Sequence, residues 1–422
     1  MTVFKSPVLF LSIGAALLLA RPSIFAGESL TLPAALAEAL AQSPALQAIE
    51  ADIDSAKAAV LTTQTRPAPE LTLSPGIRRL RESDGARHEF LGGIALAQTF
   101  PFPGKRELLV SLAERNVELR ALAIEGLRFQ VAAAVRKAFH ELLAAQNIVG
   151  LRHQQLESAE TFRQSAAKRA ESGYASDFEA VKSQGDVINA RKLLNSAHGR
   201  IASARVELNA LLGRDPSAPL DVTGETNAPV PDRPLSDWVT QALASNPSLR
   251  VQTLQAEIAR LNVRKARLAR KPDITAGPSL EYSKSEQIIG VSVTIPLAGK
   301  NYGRGEILAA SAEQRKVQAE TEKLRREIVW AVTQAATRLE TAHGQLALYT
   351  PAYLDQLKAV VEQAERGYAQ NATSLLIYLD ARRTYFDTLS DYQEAVADVA
   401  VSRAELESAV GAPLESASTN SK

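Results

Sequence analysis

The stretch ALAQSPAL at residues 39–46 returns as ALASNPSL at residues 242–249, 203 positions later. At the same spacing Pro69-Glu70-Leu71 falls on Pro272-Asp273-Ile274, and Pro75 on Pro278. Farther on, Pro101-Phe102-Pro103-Gly104-Lys105 meets Pro296-Leu297-Ala298-Gly299-Lys300 at a spacing of 195, and Leu212-Gly213 meets Val410-Gly411 at 198. The eight positions are lost in the loop between two strand-like runs. Similarity at so long a period organises a whole chain. It divides this one into residues 27–213 and 234–414, joined by a Pro-rich linker over 214–233 (RDPSAPLDVTGETNAPVPDR) and followed by a disordered tail over 415–422.

Within each copy the pattern predicts a helix, two strands, a very long helix and a second helix. Pro33 sits where a first-turn proline is tolerated, and a helical pattern runs from there to about Thr65. Leu71-Thr72-Leu73-Ser74 alternates apolar and polar as a half-buried strand does. The polar stretch RESDGARHE (81–89) reads as a loop, and Phe90–Gln98 as the second strand. In the second copy Ile289, Val291, Val293 and Ile295 face one way, with Gly290, Ser292 and Thr294 opposite. Upstream, Ile274, Ala276, Leu280 and Tyr282 alternate with polar partners. Strand runs of about 9–11 residues match a tilted crossing of a bilayer, although a soluble hairpin gives the same alternation.

Lys105–Glu171 is helical throughout, about 100 Å at 1.5 Å per residue. No globular core is that wide, so this helix is a rod, weakened locally at Gly126 and Gly150. Its second copy, Gly303–Ala369, contains Pro351, which predicts a break. The helix after each rod carries a heptad seam: Val187, Leu194, Ile201 and Leu208, with Ala190, Ala197, Ala204 and Leu211 three residues on. Tyr385, Tyr392, Val399 and Leu406 repeat it, with Thr388, Ala395, Ser402 and Ala409. Small residues in that seam let helix axes approach closely.

The 422 residues carry 48 Lys+Arg against 47 Asp+Glu, a net charge of +1, which argues against a nucleic-acid binder. Cysteine is absent, so disulfides, thiolate metal sites, a catalytic thiol and acylation at an N-terminal cysteine are all excluded. Residues 1–26 read as a secretory signal peptide: Lys5, an apolar run over Val8–Ala20, and a cleavage site after Ala26. The alternative, a membrane anchor, needs about 20 apolar residues where this run has 13. The mature chain is therefore exported. It is either soluble outside the cytoplasm or enters a membrane as β-strands.

LPAALAEALAQSPAL, TFPFPGKRELLVSLAE, VRKAFHELLAAQ, IPLAGKNYGRGE and ERGYAQNATSLLIYLDARRTYFD, with the endings LNALLG and LESAVG, resemble the TolC-like outer-membrane efflux family, most of all its cation and heavy-metal branch. The resemblance implies a mainly α fold with a small β part. A duplicated coiled-coil tunnel stands below four strands per chain, and three chains close a 12-stranded outer-membrane barrel. It implies a homotrimer in outer-membrane lipid, with a periplasmic adaptor (membrane fusion protein) and an inner-membrane pump as partners, passive conduction, no cofactor and no lipid anchor. By the same resemblance the tips Gly173, Tyr174, Ala175, Ser176 and Asn371, Ala372, Thr373, Ser374 dock the adaptor, and Glu179, Tyr368 and Asp380 form the periplasmic gate. Gly173 and Asn371 are residue types that tolerate the left-handed backbone of a helix end. The family pattern calls for Asp where Glu179 stands and commonly Gly where Asn371 stands. On composition alone, Glu179 and Asp380 are solvated helix-face charges.

Nothing reads as catalytic. His88, His140, His153, His198 and His343 show no metal-ligand spacing and read as surface or packing residues, and no Ser/His/Asp set, P-loop or GxGxxG occurs. A soluble periplasmic coiled-coil adaptor stands as the alternative, although an adaptor has one helical hairpin where this chain has two duplicated halves.

Overall fold

The computed structural model describes residues 29–82, 85–173, 176–224, 233–283, 286–297, 299 and 301–414. The expected signal peptide, the tail, and Tyr174 and Ala175 of the first tip lie outside these. The first half contains α1 (Leu32–Gln42), α2 (Pro44–Gln64), β1 (Glu70–Glu82), β2 (Gly85–Phe100), α3 (Lys105–Glu171) and α4 (Asp177–Leu212). The second contains α5 (Leu235–Ser245), α6 (Pro247–Ala269), β3 (Ile274–Ser283), β4 (Gln287–Thr294), α7 (Arg304–Leu346), α8 (Pro351–Ala369) and α9 (Leu375–Val410).

Two expectations are corrected. The first helix does not run unbroken to Thr65, because it stops at Ser43 and restarts at Pro44. Proline disfavours helical backbone in the residue before it, and Ser43 is extended (ψ 113). The break recurs at Asn246, whose side chain accepts from the backbone N–H of Ser248 and Leu249 ahead of Pro247. Nor are the described residues of RESDGARHE (81, 82 and 85–89) a loop. They extend β1 and β2 to 13 and 16 residues, against 10 and 8 in β3 and β4.

The strands form one antiparallel sheet in the order β1-β2-β3-β4, so the two halves join at β2–β3. Register places Leu73, Ile94, Leu280 and Ile289 in a single rung across all four strands. Leu71, Ile77, Phe90, Leu96, Val291 and Val293 share that face, all exposed. The opposite face carries Thr72, Ser74, Ser279, Glu281, Ser292 and Thr294, with Leu91 and Ile288 as large apolar exceptions. Apolar residues in a continuous exposed band are not ordinary surface scatter; they mark a face that something apolar covers.

Below the sheet, α3 is the spine and packs against α1, α2, α4, α6 and α9. Each half has its own core. One gathers Ala35, Ala39, Phe139, Leu142, Leu208 and Leu212. The other gathers Trp238, Ala242, Val332, Leu339, Leu406 and Val410. The alanines of the repeated octapeptide, Ala39 and Ala242, are fully buried in these two cores. Leu220 and Val222, from the start of the linker, fold back into the first core. There Leu30 pairs with Val222 as a short parallel bridge. Lys105 ties the halves together where helices meet sheet, donating to Asp273 Oδ1 at 2.8 Å while Phe102 N–H donates to the same oxygen.

Candidate functional site

The helical end far from the sheet closes in two tips. Gly173 ends α3 with φ 77, and Asn371 follows α8 with φ 59, the single positive-φ non-glycine among the described residues. Both are positions where the sequence predicts a left-handed turn. At the second tip the N–H groups of Ala372 and Thr373 both donate to Gly367 O, at 2.8 and 3.1 Å. A Cβ on Gly367 would collide with the Thr373 side chain, so glycine at 367 lets the turn fold back this tightly. Ser374 and Ser176 cap α9 and α4 in extended backbone.

Behind the tips, the structure brings Glu179 and Tyr368 together. Tyr368 ends α8 with its ring buried, and its Oη donates to Glu179 Oε2 at 2.7 Å. Glu179 lies in the first turn of α4, where the helix N-terminus favours a carboxylate. Burial first, and the bond to Glu179 second, push the Tyr368 phenol up to about 12. Asp380 is not part of this contact; it stands exposed on α9.

The supporting residues carry no local signature in the sequence. Phe162, Tyr368 and Tyr378 form an aromatic cluster, with ring centroids 5.0–5.9 Å apart. Arg169 lies 4.7 Å over the Tyr368 ring, donates to Tyr368 O at 3.0 Å, and reaches Asn371 Oδ1. Deeper in, Arg382 lies 5.4 Å from both Phe162 and Tyr378. It donates to Ser158 O and contacts the Asp186 carboxylate, so it links α3, α4 and α9. Burial lowers the Arg382 guanidinium to about 10, which leaves it charged at neutral pH. Burial likewise raises Tyr378 to about 12. One cue was available. Aromatic residues are only 5% of the chain, yet Phe162, Tyr368 and Tyr378 all fall within sixteen positions of a tip.

Phe178, Val181, Leu376 and Ile377 stand exposed just past the tips, so each tip is flanked by apolar side chains. Of the histidines, His140 is packed edge-on against Phe139, and burial lowers its imidazole. His153 and His198 are exposed and meet across α3 and α4, with ring centroids 5.6 Å apart. The described residues contain no group of three His, Asp or Glu placed to hold a metal. No described helix is long and apolar enough to cross a membrane.

The family model for outer membrane efflux proteins matches residues 35–214 and 238–412, one match for each copy of the repeat. The chain belongs to the outer membrane efflux protein family. The two matches flank the linker, and both tips and all three expected gate residues lie inside them. Among curated relatives, the cobalt-zinc-cadmium resistance protein CzcC of Cupriavidus metallidurans is 25% identical over 87% of this chain and 86% of its own length. Protein CyaE of Bordetella pertussis is 26% identical over 75% of this chain and 70% of its own. Among solved structures, the Campylobacter jejuni CmeC outer membrane channel superposes with a TM-score of 0.75 at 16% identity, over 97% of this chain and 94% of that one. This last likeness shows that the fold is that of an outer membrane channel.

Proposed function

We propose that this outer membrane efflux protein is the exit duct of a tripartite efflux system. Three chains, each giving four strands, close a 12-stranded barrel in the outer membrane, and their helices continue into the periplasm as a tunnel. The observation that carries this is the apolar rung Leu73–Ile94–Leu280–Ile289, on a sheet whose outer strands, β1 and β4, each have one edge unpaired within the chain. Membrane strands leave no edge open, and trimer closure pairs β4 of one copy with β1 of the next. A soluble adaptor would leave that apolar band in water.

The tips, with Phe178, Val181, Leu376 and Ile377 beside them, dock the periplasmic adaptor, and energy comes from an inner-membrane pump. The Tyr368–Glu179 bond holds the tunnel end closed, and Asp380, repeated three times about the axis, favours cations there. CzcC is named for resistance to cobalt, zinc and cadmium, which supports metal cations as the cargo. The duct itself performs no chemistry.

Conductance of the trimer in a planar bilayer tests this reading. Wild type should pass little current, and Tyr368→Phe should raise it several-fold. The raised phenol means that the closing bond is intact below about pH 10 and lost as pH climbs through about 12. Wild-type conductance should therefore rise over that window, while the Phe variant stays flat. Recovery as a water-soluble monomer would overturn the duct. Equal currents from both proteins would overturn the latch.

A further inference from the structure

The α3/α4 pair carries a row of polar contacts along one flank. Arg205 and Gln146 both reach Asp221. One heptad toward the tip on both helices, His198 meets His153. One heptad further, Arg191 bonds Glu160 at 2.7 Å. The helix register that forms the two flanking contacts therefore also holds the imidazoles together. Both histidines are exposed, about 27 Å up α3 from the tip at 1.5 Å per residue.

We infer that His153 and His198 form a two-imidazole site for a divalent transition-metal cation such as Zn²⁺, Cu²⁺, Ni²⁺ or Co²⁺. Two imidazoles on one tetrahedral metal, with metal–nitrogen bonds of about 2.0–2.1 Å, place their ring centroids about 5 Å apart. The observed separation is 5.6 Å with the ring planes at 80°, so binding turns one nitrogen of each ring toward a common point. Neutral imidazole selects these borderline metals, while Mg²⁺ and Ca²⁺ prefer oxygen ligands. No third His, Asp or Glu joins the pair among the described residues, so water fills the other positions. Such a site is weak and exchanges readily, unlike a closed structural centre with four protein ligands. It stands on this geometry alone, whatever the duct carries.

The experiment is calorimetric titration of the untagged, chelator-stripped trimer in detergent with Zn²⁺ and Cu²⁺, paired with electron paramagnetic resonance of the Cu²⁺ form. One site per chain is expected, with nitrogen couplings from two imidazoles and no heat from Mg²⁺. His153→Ala and His198→Ala should each weaken it roughly tenfold or more, as loss of a ligand should exceed loss of an outer-shell partner. The double variant should be little worse than either single one. Binding should fall on acidification, because protons compete for the same nitrogens. His88→Ala should change nothing. Because both side chains are exposed, the variants keep the fold, and the trimer's circular dichroism checks this. Unchanged stoichiometry and affinity in the double variant, or one-nitrogen coupling in wild type, would overturn the site and leave an edge-to-face ring contact.

Discussion

The two long arms of the molecule solve one problem in two ways. In the first half α3 runs 67 residues without a break. In the second half the same span is cut: α7 ends at Leu346 and α8 begins at Pro351. Counted from the tips, Pro351 stands where the first half has His153, so the jointed arm breaks at a position where the rod runs on. The two arms also differ in how they are held. Fifteen residues of α3 are buried, whereas α8 buries only Ala364 and Tyr368. An element with so few buried contacts opens at low free energy. That element carries Tyr368, while α3 supplies Phe162 beneath it. A well-buried wall thus receives Tyr368 from a segment with few buried contacts of its own.

The largest expected effect comes from making the arms alike. His153→Pro places proline inside α3, where it removes a helical hydrogen bond and clashes with the preceding turn, at about 3 kcal/mol or more. Thermal melting of the detergent-solubilised trimer should fall by many degrees, or the trimer should fail to form. Pro351→Ala, the reverse change, should move it little, since Thr350 is already extended and the break does not need the ring. Equal effects in both arms would mean that α3 is no more a spine than α7 and α8.

Next in size is the charge buried between the halves. Arg382 is 3% exposed and faces Asp186 from the other hairpin. Asp186→Ala leaves that guanidinium buried without its carboxylate, a loss of about 2 kcal/mol or more once the partial exposure of Asp186 is discounted. Arg200–Glu394 joins the same two helices in the open, and its removal should cost under about 0.5 kcal/mol. Melting of the two variants side by side measures the contrast. Arg382→Met added to Asp186→Ala should recover much of the loss, because it removes the stranded charge. If both pairs prove equally small, burial at the tip contributes nothing and the jointed arm is held by its aromatic rings alone.

How much of this could be read from the sequence follows from where each signal lies. The limits of α3, the break before Pro351 and both tips were legible because glycine, proline and asparagine mark them locally and the repeat states them twice. Strand length was not legible over residues 81–89, a polar stretch without apolar alternation, although the strand pairing runs on to Glu82 and Gly85. The break at Ser43 was available in Pro44 and was overridden by the apolar periodicity around it. In the site, Glu179 and Tyr368 came through family resemblance, and the structure joins them. Arg169, Arg382 and Asp186 were invisible: a charged residue on a helix face looks solvated until a distant helix is packed over it. His153 and His198 fall between these cases. Counting outward from the first tip along two antiparallel helices sets them opposite one another, but only once that pairing is assumed.

The smallest effect belongs to the joint itself. Thr350 is extended, its Oγ1 accepts from Tyr353 N–H at 3.2 Å, and Pro351 supplies a first residue that needs no acceptor. Tyr349 next to it packs against Tyr392 of α9, with burial and then Asp391 raising its phenol, so the joint is anchored on the side facing α9. Thr350→Ala removes the cap at about 1 kcal/mol. Little of that should appear in global melting, which the two cores and the sheet dominate. It should appear instead as faster hydrogen exchange in the first turn of α8, where local terms set the protection, and spread toward Tyr368 if the joint and the latch are one cooperative unit. Arg152 holds the matching place inside α3 and has no cap to lose; its bonds run to Gln155 and to Asp387 of α9, so Arg152→Ala should weaken that contact without opening its own turn. If α8 exchanges no faster in Thr350→Ala, the cap is idle, and the difference between the arms reduces to Pro351 alone.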